Sequence, residues 1–313
     1  MLTVCFLIPA SPTHGFLSQI AAFRLALRKL AWSRWKPSIF VCFGGEPDKT
    51  ALAEWRPLLR DVTMTFAPNS GPEENPYYYA QIDGLFRSAP LGADVLARMD
   101  ADTLPVGNFE DLLDYVVNTN SIAGVMAHFG FPVRPGMSSS REAWEQTAKD
   151  LISAPLDFRY SYSLTDATVP EENRVAPFYL NDGAAFFPRS LFLDFAERYL
   201  ALRPKVMKRL AYPYFSGQIA LTLAATEMRT RTCALPMRYN FPNDELAANK
   251  FPEELENVKV FHYLRADDFD RQLIFTNESH YQSFLSTPLT GANKVFQETV
   301  ERLLGSDFPF RCC

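Results

Sequence analysis

Two aspartates one residue apart, Asp100 and Asp102, follow the apolar run "VLARM" and precede the turn sequence "TLP". Side chains at positions i and i+2 of an extended chain point to the same side. Two carboxylates placed in this way repel each other unless a proton or a cation lies between them. Either they are solvated in a surface turn or they bind a metal, and their position at the end of an apolar strand favours the metal.

Mg²⁺ and Mn²⁺ suit such a pair, because they accept one or two carboxylates and complete their shells with phosphate oxygens. A second pair with this spacing, Asp268 and Asp270, lies in the charged run "RADDFDR", which favours a solvated turn or helix start. His262 follows "VKVF" at another predicted strand end and is a candidate third ligand for Mn²⁺. A structural histidine is the alternative, and the metal interpretation requires the two strand ends to be neighbours.

The composition excludes some classes of protein. The chain has 313 residues, of which 47% are apolar, so it is long enough to bury a large core. Its net charge of −5 disfavours a general nucleic-acid binder, and we expect no nucleic-acid partner. The five cysteines lack metal-binding spacing, and three of them, Cys5, Cys42 and Cys233, lie in apolar strand-like runs. Buried free thiols suit a reducing compartment, which predicts a cytoplasmic location.

The sequence predicts no membrane-spanning segment and no secretory signal, because its apolar runs are too short. Residues 23–36, "FRLALRKLAWSRWK", are basic and include Trp32 and Trp35. This segment is therefore a candidate for peripheral contact with an anionic membrane surface. Its Leu and Ala spacing also suits a helix that packs on the core and exposes a solvated outer face, which is the interpretation we favour.

Strand-like apolar runs alternate with helical patterns in the first third of the chain, where "LTVCFLIP", "PSIFVCFGG", "DVTMTFAP" and "DVLARMD" are separated by amphipathic stretches. This alternation predicts an α/β fold with a mostly parallel central sheet flanked by helices. Ligands of such sheets bind beyond the carboxyl ends of the strands. Asp100 and Asp102 fall at such an end, as does the loop that contains Pro9, Ala10 and Ser11.

The chain lacks the glycine-rich sequences G-x-G-x-x-G and G-x-x-x-x-G-K-[ST], which are common backbone cradles for phosphate. A nucleoside diphosphate would therefore need a divalent cation held by a carboxylate pair. Arg98, two residues before Asp100, would share its strand face and contact either phosphate or a neighbouring acid, and both alternatives stay open.

Several landmarks occur in a recognisable order between Leu2 and Arg265: a strand ending in D-x-D, the strand "YLNDG", the helix start "SGQIAL", the strand "LPMRYNF" and the late "VFHYL". In this order the chain resembles GT-A fold glycosyltransferases, and most of all the family 8 group of glycogenin and galactosyltransferase-like enzymes. The resemblance implies a Rossmann-like half that binds a nucleotide sugar, a UDP-sugar by analogy. It also implies a divalent metal, usually Mn²⁺, and a glycan or other hydroxyl acceptor.

The resemblance also implies how the chain is divided. We expect one GT-A domain over residues 1–313. Within it, residues 1–128 would bind the nucleotide sugar, 129–265 would form the acceptor half, and 266–313 would be a C-terminal tail with a helix.

The same resemblance assigns the metal to Asp100, Asp102 and His262. The family's D-x-D aspartates match the first two, and its metal-binding histidine matches the third. The late family motif H-[FY]-x-G-x-x-K-P-W is reduced to "HYLRADDF", without the phosphate-binding lysine, for which Arg265 is the predicted substitute. The predicted donor-binding residues are Pro9, Ala10, Ser11, Arg98, Asp100, Ala101 and Arg265.

Asn181, Asp182 and Gln218 are the predicted catalytic residues. The first two match a family strand of the type F-N-[ST]-G, with Asp182 in place of the small hydroxyl residue. Gln218 matches the glutamine of a family Asp-Gln helix start, but Gly217 replaces the aspartate. Tyr239 and Asn240 lie at a predicted strand end, and we expect their side chains to contact the acceptor.

Two mechanisms remain open. An inverting enzyme needs a carboxylate base beside the acceptor hydroxyl, and Asp182 could serve. In a retaining enzyme of the resembled family the phosphate of the donor takes the proton and Gln218 would stabilise the positive sugar ring; the resemblance favours retention. A nucleotidyltransferase is disfavoured, because no glycine-rich basic loop follows the first strand. A non-catalytic carbohydrate- or nucleotide-binding protein that kept the fold is the alternative, and Gly217 supports it.

Overall fold

The computed structural model describes residues 1–46, 48–68, 76–131, 138–210 and 213–305, with backbone alone at 76–79 and 213. Its strands are β1 (Leu2–Ala10), β2 (Trp35–Gly44), β3 (Val62–Ala67), β4 (Val95–Met99), β5 (Thr103–Pro105), β6 (Ser121–Met126), β7 (Tyr160–Ser161), β8 (Val175–Ala176), β9 (Leu180–Pro188), β10 (Arg231–Ala234), β11 (Phe241–Pro242) and β12 (Val260–His262). Its α-helices are α1 (His14–Lys29), α2 (Lys49–Trp55), α3 (Pro76–Ser88), α4 (Glu110–Thr119), α5 (Ser140–Leu151), α6 (Glu171–Arg174), α7 (Arg189–Arg209), α8 (Ser216–Glu227), α9 (Glu245–Lys250), α10 (Pro252–Glu256), α11 (Glu278–Ser286) and α12 (Gly291–Leu304).

The central sheet has the strand order β10-β6-β9-β4-β1-β2-β3. Strands β1 to β4 pair in parallel, as do β6 and β10, whereas β9 runs antiparallel to both of its neighbours. The predicted α/β fold with a mostly parallel sheet is therefore confirmed. The antiparallel β9 matters for the site, because its first residues lie beside the carboxyl end of β4.

Both faces of the sheet are covered by helices, as the alternating side chains of β1 show. Val4, Phe6 and Ile8 are buried in the layer that contains α1, α4 and α12. Cys5 and Leu7 are buried in the opposite layer, which contains α3, α5, α7 and α8. A strand that is apolar on both faces is expected at the centre of a parallel sheet, where neither face meets water.

The structure does not support membrane contact through residues 23–36. Phe23, Leu27 and Trp35 are buried in the core, and Arg24 is buried in an ion pair with Asp61. No apolar face of this segment is left for a lipid surface. Among the helices of the described ranges, none combines the length and the apolar character that crossing a membrane requires.

The cysteine prediction is confirmed in part. Cys5 and Cys42 are buried free thiols, and burial raises the pKa of Cys5 to about 11 and that of Cys42 to about 12. Cys233 in β10 is only half-buried. Cys312 and Cys313 lie outside the described residues.

Glu110 fixes the connection between α1 and β2 from the first turn of α4. Its carboxylate accepts hydrogen bonds from the backbone N–H groups of Ser33, Arg34 and Trp35 at 2.8 to 3.0 Å, and from the Ser33 hydroxyl at 2.7 Å. Burial alone would raise the pKa of Glu110, but these hydrogen bonds outweigh it and lower the pKa to about 2. The charged form is therefore the one that the fold stabilises.

Replacing Glu110 by glutamine is expected to lower the free energy of unfolding by about 2 kcal/mol at pH 7, because charge-assisted hydrogen bonds become neutral ones. Since folding lowers the pKa of Glu110, its contribution is complete above the ordinary pKa of 4.5 and is lost as the pH falls towards 2. The difference between wild type and variant should shrink over that range. Denaturant unfolding as a function of pH measures it.

Asp111→Asn is the matched control, because this neighbouring carboxylate is 93% exposed and forms a surface ion pair with Arg34. We expect it to change the unfolding free energy by less than about 1 kcal/mol. Equal stabilities of wild type and Glu110→Gln at pH 7 would contradict the role given to Glu110.

Candidate functional site

The pairing of β5 with β12 brings His262 to the two aspartates. In this antiparallel ladder His262 lies opposite Thr103, and the N–H of Tyr263 donates to the carbonyl oxygen of Asp102 at 3.0 Å. The turn between β4 and β5 is closed by the hydroxyl of Thr103, which donates to the carbonyl oxygen of Asp100 at 2.6 Å. The strand ends are therefore neighbours, as the metal interpretation requires.

The side chains of Asp100, Asp102 and His262 converge on one point. Nε2 of His262 lies 3.4 Å from Oδ1 of Asp102 and 3.7 Å from Oδ2 of Asp100. One ligand atom from each of the three residues lies within 4.8 Å of the others. Two carboxylate oxygens and one imidazole nitrogen at this separation form a donor set that suits Mn²⁺ or Mg²⁺.

Two arginines balance the carboxylate charge. Nη2 of Arg98 lies 2.9 Å from Oδ1 of Asp100 and 3.6 Å from Oδ2 of Asp182. Nη1 of Arg271 contacts Oδ2 of Asp102 and donates to the carbonyl oxygen of Leu264 at 2.7 Å. Of the two alternatives for Arg98, the structure contains the ion pair with a neighbouring acid, and its side chain is 3% exposed.

Burial acts to raise the pKa of all three acids, and their neighbouring charges decide the net result. It raises the pKa of Asp100, against the attraction of Arg98. Burial also acts to raise the pKa of Asp102, but His262 and Arg271 outweigh it and lower that pKa. For Asp182 burial prevails and raises the pKa to about 6.

The three candidate ligands lie in the wall of a cavity of about 680 Å³. Ala10 and Arg98 are buried behind this wall, and neither is among its lining residues. The other predicted site residues line it: Pro9, Ser11, Asp100, Ala101, Asp102, Asn181, Asp182, Gln218, His262 and Arg265. The fold thus gathers residues from distant parts of the sequence around one space large enough for a ligand.

Asn181 and Gln218 are held in fixed orientations. Oδ1 of Asn181 accepts hydrogen bonds from the backbone N–H of Gly183 and from Nδ2 of Asn240, both at 2.9 Å. Oε1 of Gln218 accepts from the hydroxyl of Tyr179, also at 2.9 Å. Each amide carbonyl therefore has a protein partner, and the side chains are ordered before any ligand arrives.

Asp182 and Gly217, two of the positions at which the sequence departs from the resembled family, lie against each other. A Cβ on Gly217 would stand 3.3 Å from Oδ2 of Asp182 and 3.3 Å from the hydroxyl oxygen of Tyr199. The helix start therefore lacks a carboxylate, but the neighbouring strand β9 supplies one at nearly the same place.

Arg271 and His128 are two charged or titratable residues of the cavity wall that sequence reasoning missed. His128 lies 3.5 Å from Nδ2 of Asn181, and burial lowers its pKa to about 4, so it is neutral at pH 7. The sequence around Arg271 offered no sign of a site residue beyond a positive charge in an acidic run. Arg265, the residue predicted for phosphate, has its guanidinium paired with Asp244 at 2.7 and 2.9 Å.

The predicted acceptor contact is wrong for Asn240, which is fully buried. Tyr239 is half-buried and packs against the apolar core, and it is not among the residues that line the cavity. The predicted strand over these residues is also wrong, because β10 ends at Ala234 and Met237–Tyr239 forms a 3-10 helix before β11.

The segment with Arg271 is anchored on α1. Nε2 of Gln19, a buried residue, donates to the carbonyl oxygen of Arg271 at 3.0 Å. A Cβ on Gly15 would stand 2.8 Å from the carbonyl oxygen of Gln272, so only glycine lets the two backbones approach this closely.

No model of a protein family and no curated protein sequence matches the chain. Solved structures do match it. The galactosyltransferase LgtC, solved in complex with donor and acceptor sugar analogs, has a TM-score of 0.52 at 12% identity, over 96% of this chain and 96% of its own. An active-site mutant of LgtC has a TM-score of 0.54 at 11% identity with the same coverage.

The chain spans only part of two longer glycosyltransferases. It matches apo GlyE of Streptococcus pneumoniae TIGR4 with a TM-score of 0.50 at 13% identity, over 96% of this chain and 60% of that chain. It spans 51% of the bifunctional glycosyltransferase WbbM, with a TM-score of 0.49 at 13% identity. The likeness to LgtC extends over nearly the full length of both chains, and the protein therefore has the GT-A fold that the sequence landmarks predicted.

Proposed function

We propose that the protein is a metal-dependent glycosyltransferase of the family 8 type. It transfers a sugar from a nucleoside diphosphate sugar, with a UDP-sugar as first choice, to a hydroxyl group of a glycan or other acceptor. The observation that carries the proposal is the convergence of Asp100, Asp102 and His262 in the wall of a ligand-sized cavity at the carboxyl end of β4. On this fold that edge of the sheet is where ligands bind.

The residues fit a divalent cation. Two half-buried like charges side by side repel each other, and the imidazole nitrogen of His262 lies 3.4 and 3.7 Å from their oxygens. Asp100, Asp102 and His262 would hold the ion, with Mn²⁺ favoured over Mg²⁺ because one ligand is an imidazole. When bound, such an ion neutralises the charge that develops on the departing nucleoside diphosphate.

Arg271 is the side chain that we assign to the diphosphate, instead of Arg265. Its guanidinium lies beside the carboxylate of Asp102, next to the place where phosphate oxygens would complete the metal shell. Arg265 also lines the cavity, but Asp244 occupies its guanidinium through two hydrogen bonds. Once a cation binds Asp102 in place of Arg271, the guanidinium of Arg271 can rotate towards the phosphate.

Replacing Arg271 by glutamine is expected to raise the KM for the nucleotide sugar about tenfold, because a charged hydrogen bond to phosphate is lost. Without nucleotide, the same variant should bind Mn²⁺ more tightly than wild type, since no arginine competes for Asp102. Steady-state kinetics and calorimetric titration measure the two effects.

Arg265→Gln is the matched control, and we expect it to leave both the KM and Mn²⁺ binding close to wild type. A larger rise of the KM in Arg265→Gln than in Arg271→Gln would reverse the assignment.

The sugar would lie against the other side of the cavity. Asp182, Asn181 and Gln218 face this side from β9 and the first turn of α8. Asp182 supplies the carboxylate that the helix start lacks at Gly217, and Gln218 stabilises the positive charge of the sugar ring. The division of the chain belongs to the same proposal: residues 1–128 would bind the nucleotide sugar and residues 129–265 the acceptor. Arg271, which follows residue 265, is added to the residues that bind the donor.

The test is a panel of UDP- and GDP-sugars with Mn²⁺, Mg²⁺ or a chelator, followed for nucleotide release and for transfer to sugar acceptors. We expect release with one donor, dependence on the metal, and retention at the anomeric carbon by NMR of the product. The alternative is a non-catalytic binding protein that kept the fold, and the glycine at position 217 supports this alternative. Absence of turnover and of any nucleotide-induced shift in melting temperature would overturn the enzyme proposal.

A further inference from the structure

The ring of His262 has two differently placed nitrogens. Nε2 faces Asp100 and Asp102, whereas Nδ1 is buried and has no hydrogen-bond partner among the described residues. Oδ1 of Asn240, a fully buried side chain, likewise has no partner within that part of the chain. Both atoms lie over Gly183, where a Cβ would stand 2.3 Å from Nδ1 and 2.5 Å from Oδ1.

The orientation of the Asn240 amide is fixed by a backbone group. The N–H of Gly183 can only donate, so the atom of Asn181 that it contacts at 2.9 Å is the carbonyl oxygen. The atom of Asn240 that contacts the same oxygen at 2.9 Å must then be the NH₂ nitrogen. The remaining polar atom of Asn240, which faces His262 over Gly183, is therefore an oxygen and can only accept.

We propose that Asn240 is a positioning residue for His262. With a cation between Asp100 and Asp102, Oδ1 of Asn240 would accept the hydrogen of Nδ1, so that the neutral ring keeps its proton on Nδ1 and presents the lone pair of Nε2 to the ion. The meaning of this arrangement for metal binding rests on the proposed function. Metal-binding histidines usually donate their other N–H to such an acceptor, which fixes both the tautomer and the ring orientation.

Gly183 leaves the space that this hydrogen bond needs, and Asn181 connects it to the sugar side. A Cβ at position 183 would stand 2.3 Å from Nδ1 and 2.5 Å from Oδ1, closer than real atoms tolerate. Asn181 accepts hydrogen bonds from the N–H of Gly183 and from Asn240. The Gly183 N–H therefore orients Asn181, Asn181 orients Asn240, and Asn240 orients the ring of His262. The metal side and the sugar side of the cavity are thus aligned through the same asparagine pair.

Nitrogen-15 NMR of the Mg²⁺-loaded protein, labelled at its four histidines, tests this hydrogen bond without any activity. His262→Gln identifies the resonance. We expect the Nδ1–H of wild type to show the downfield proton shift of a hydrogen bond, and Asn240→Leu to lose that shift. An Nδ1–H without this shift in wild type would overturn the proposal, and this result needs no variant of Asn240 to fold.

Mn²⁺ titration of the nucleotide-free protein tests the consequence. Asn240→Leu is expected to weaken Mn²⁺ binding roughly tenfold to a hundredfold. Asn240→Asp keeps an acceptor towards Nδ1 while losing the donor to Asn181, so Mn²⁺ binding should stay near wild type. Equal loss in both variants, or none in Asn240→Leu, would refute positioning through Nδ1. Failure of wild type to bind either Mn²⁺ or Mg²⁺ would refute the metal part of the proposed function instead, whereas a difference between wild type and the two variants decides the role of Asn240.

Discussion

Replacing Asp102 by asparagine is expected to lower the rate of sugar transfer about a thousandfold, or roughly 4 kcal/mol of transition-state stabilisation. The variant keeps the size of the side chain but removes the charge that would hold the cation opposite Asp100 and His262. It also releases Arg271, which contacts the same carboxylate. Mn²⁺ binding should be lost together with activity. Nucleotide-release kinetics and Mn²⁺ titration measure both losses.

The fold of Asp102→Asn is expected to persist, because the residue lies at the cavity wall and outside the apolar packing of the sheet. Circular dichroism and thermal melting check this point. Asp268→Asn is the matched control: it removes a charge from the second D-x-D pair, whose first carboxylate is exposed and accepts from Asn293. Full activity of Asp102→Asn, or an equal loss in Asp268→Asn, would contradict the metal assignment.

The second large effect is expected for Asp182→Asn, which should reduce kcat by about a hundredfold to a thousandfold while changing the KM for the nucleotide sugar little. A carboxylate beside the sugar stabilises the positive charge that develops on the ring, and the loss of such electrostatic stabilisation typically lowers the rate by this order. Asp182 is not among the three residues whose ligand atoms converge, so Mn²⁺ binding should be retained. Single-turnover kinetics with saturating donor separate the chemical step from binding.

The contact between Asp182 and Gly217 offers a sharper experiment. If Asp182 on β9 supplies the carboxylate that the start of α8 lacks, then placing an aspartate at position 217 should restore part of the activity lost when Asp182 is removed. The double variant Asp182→Ser with Gly217→Asp is therefore expected to be more active than Asp182→Ser alone, because the serine leaves room beside position 217. A double variant no more active than Asp182→Ser would show that the acid is required on β9 itself.

The sequence predicted the features that depend on local pattern. Alternating apolar runs indicated the parallel strands, and a strand that ends in charged residues indicated the ligand-binding edge at Asp100 and Asp102. The metal interpretation of His262 needed one condition, that two strand ends be neighbours, and the antiparallel pairing of β12 with β5 meets it. That pairing joins residues about 160 positions apart, and no local pattern encodes it.

The rest of the site could not be predicted, because it depends on tertiary packing. Arg271 lies in a charged run that favoured a solvated turn, and only the docking of this run on α1 carries it into the cavity wall. Asn240 was expected to contact the acceptor, but in the loop before β11 its side chain is fully buried and bonds to Asn181. Asp182 and Gly217 look in the sequence like two separate losses, and only their contact in space shows that one compensates the other.

The anchoring of Arg271 on Gln19 and of Gln272 on Gly15 has a consequence for folding during synthesis. Gln19 precedes Arg271 by 252 residues, so helix α1 leaves the ribosome long before this arginine. A nascent chain can build the first strands and expose Asp100 and Asp102 before the arginine that pairs with Asp102 is available. The wall of the cavity is therefore completed only when the segment around Arg271 docks on α1.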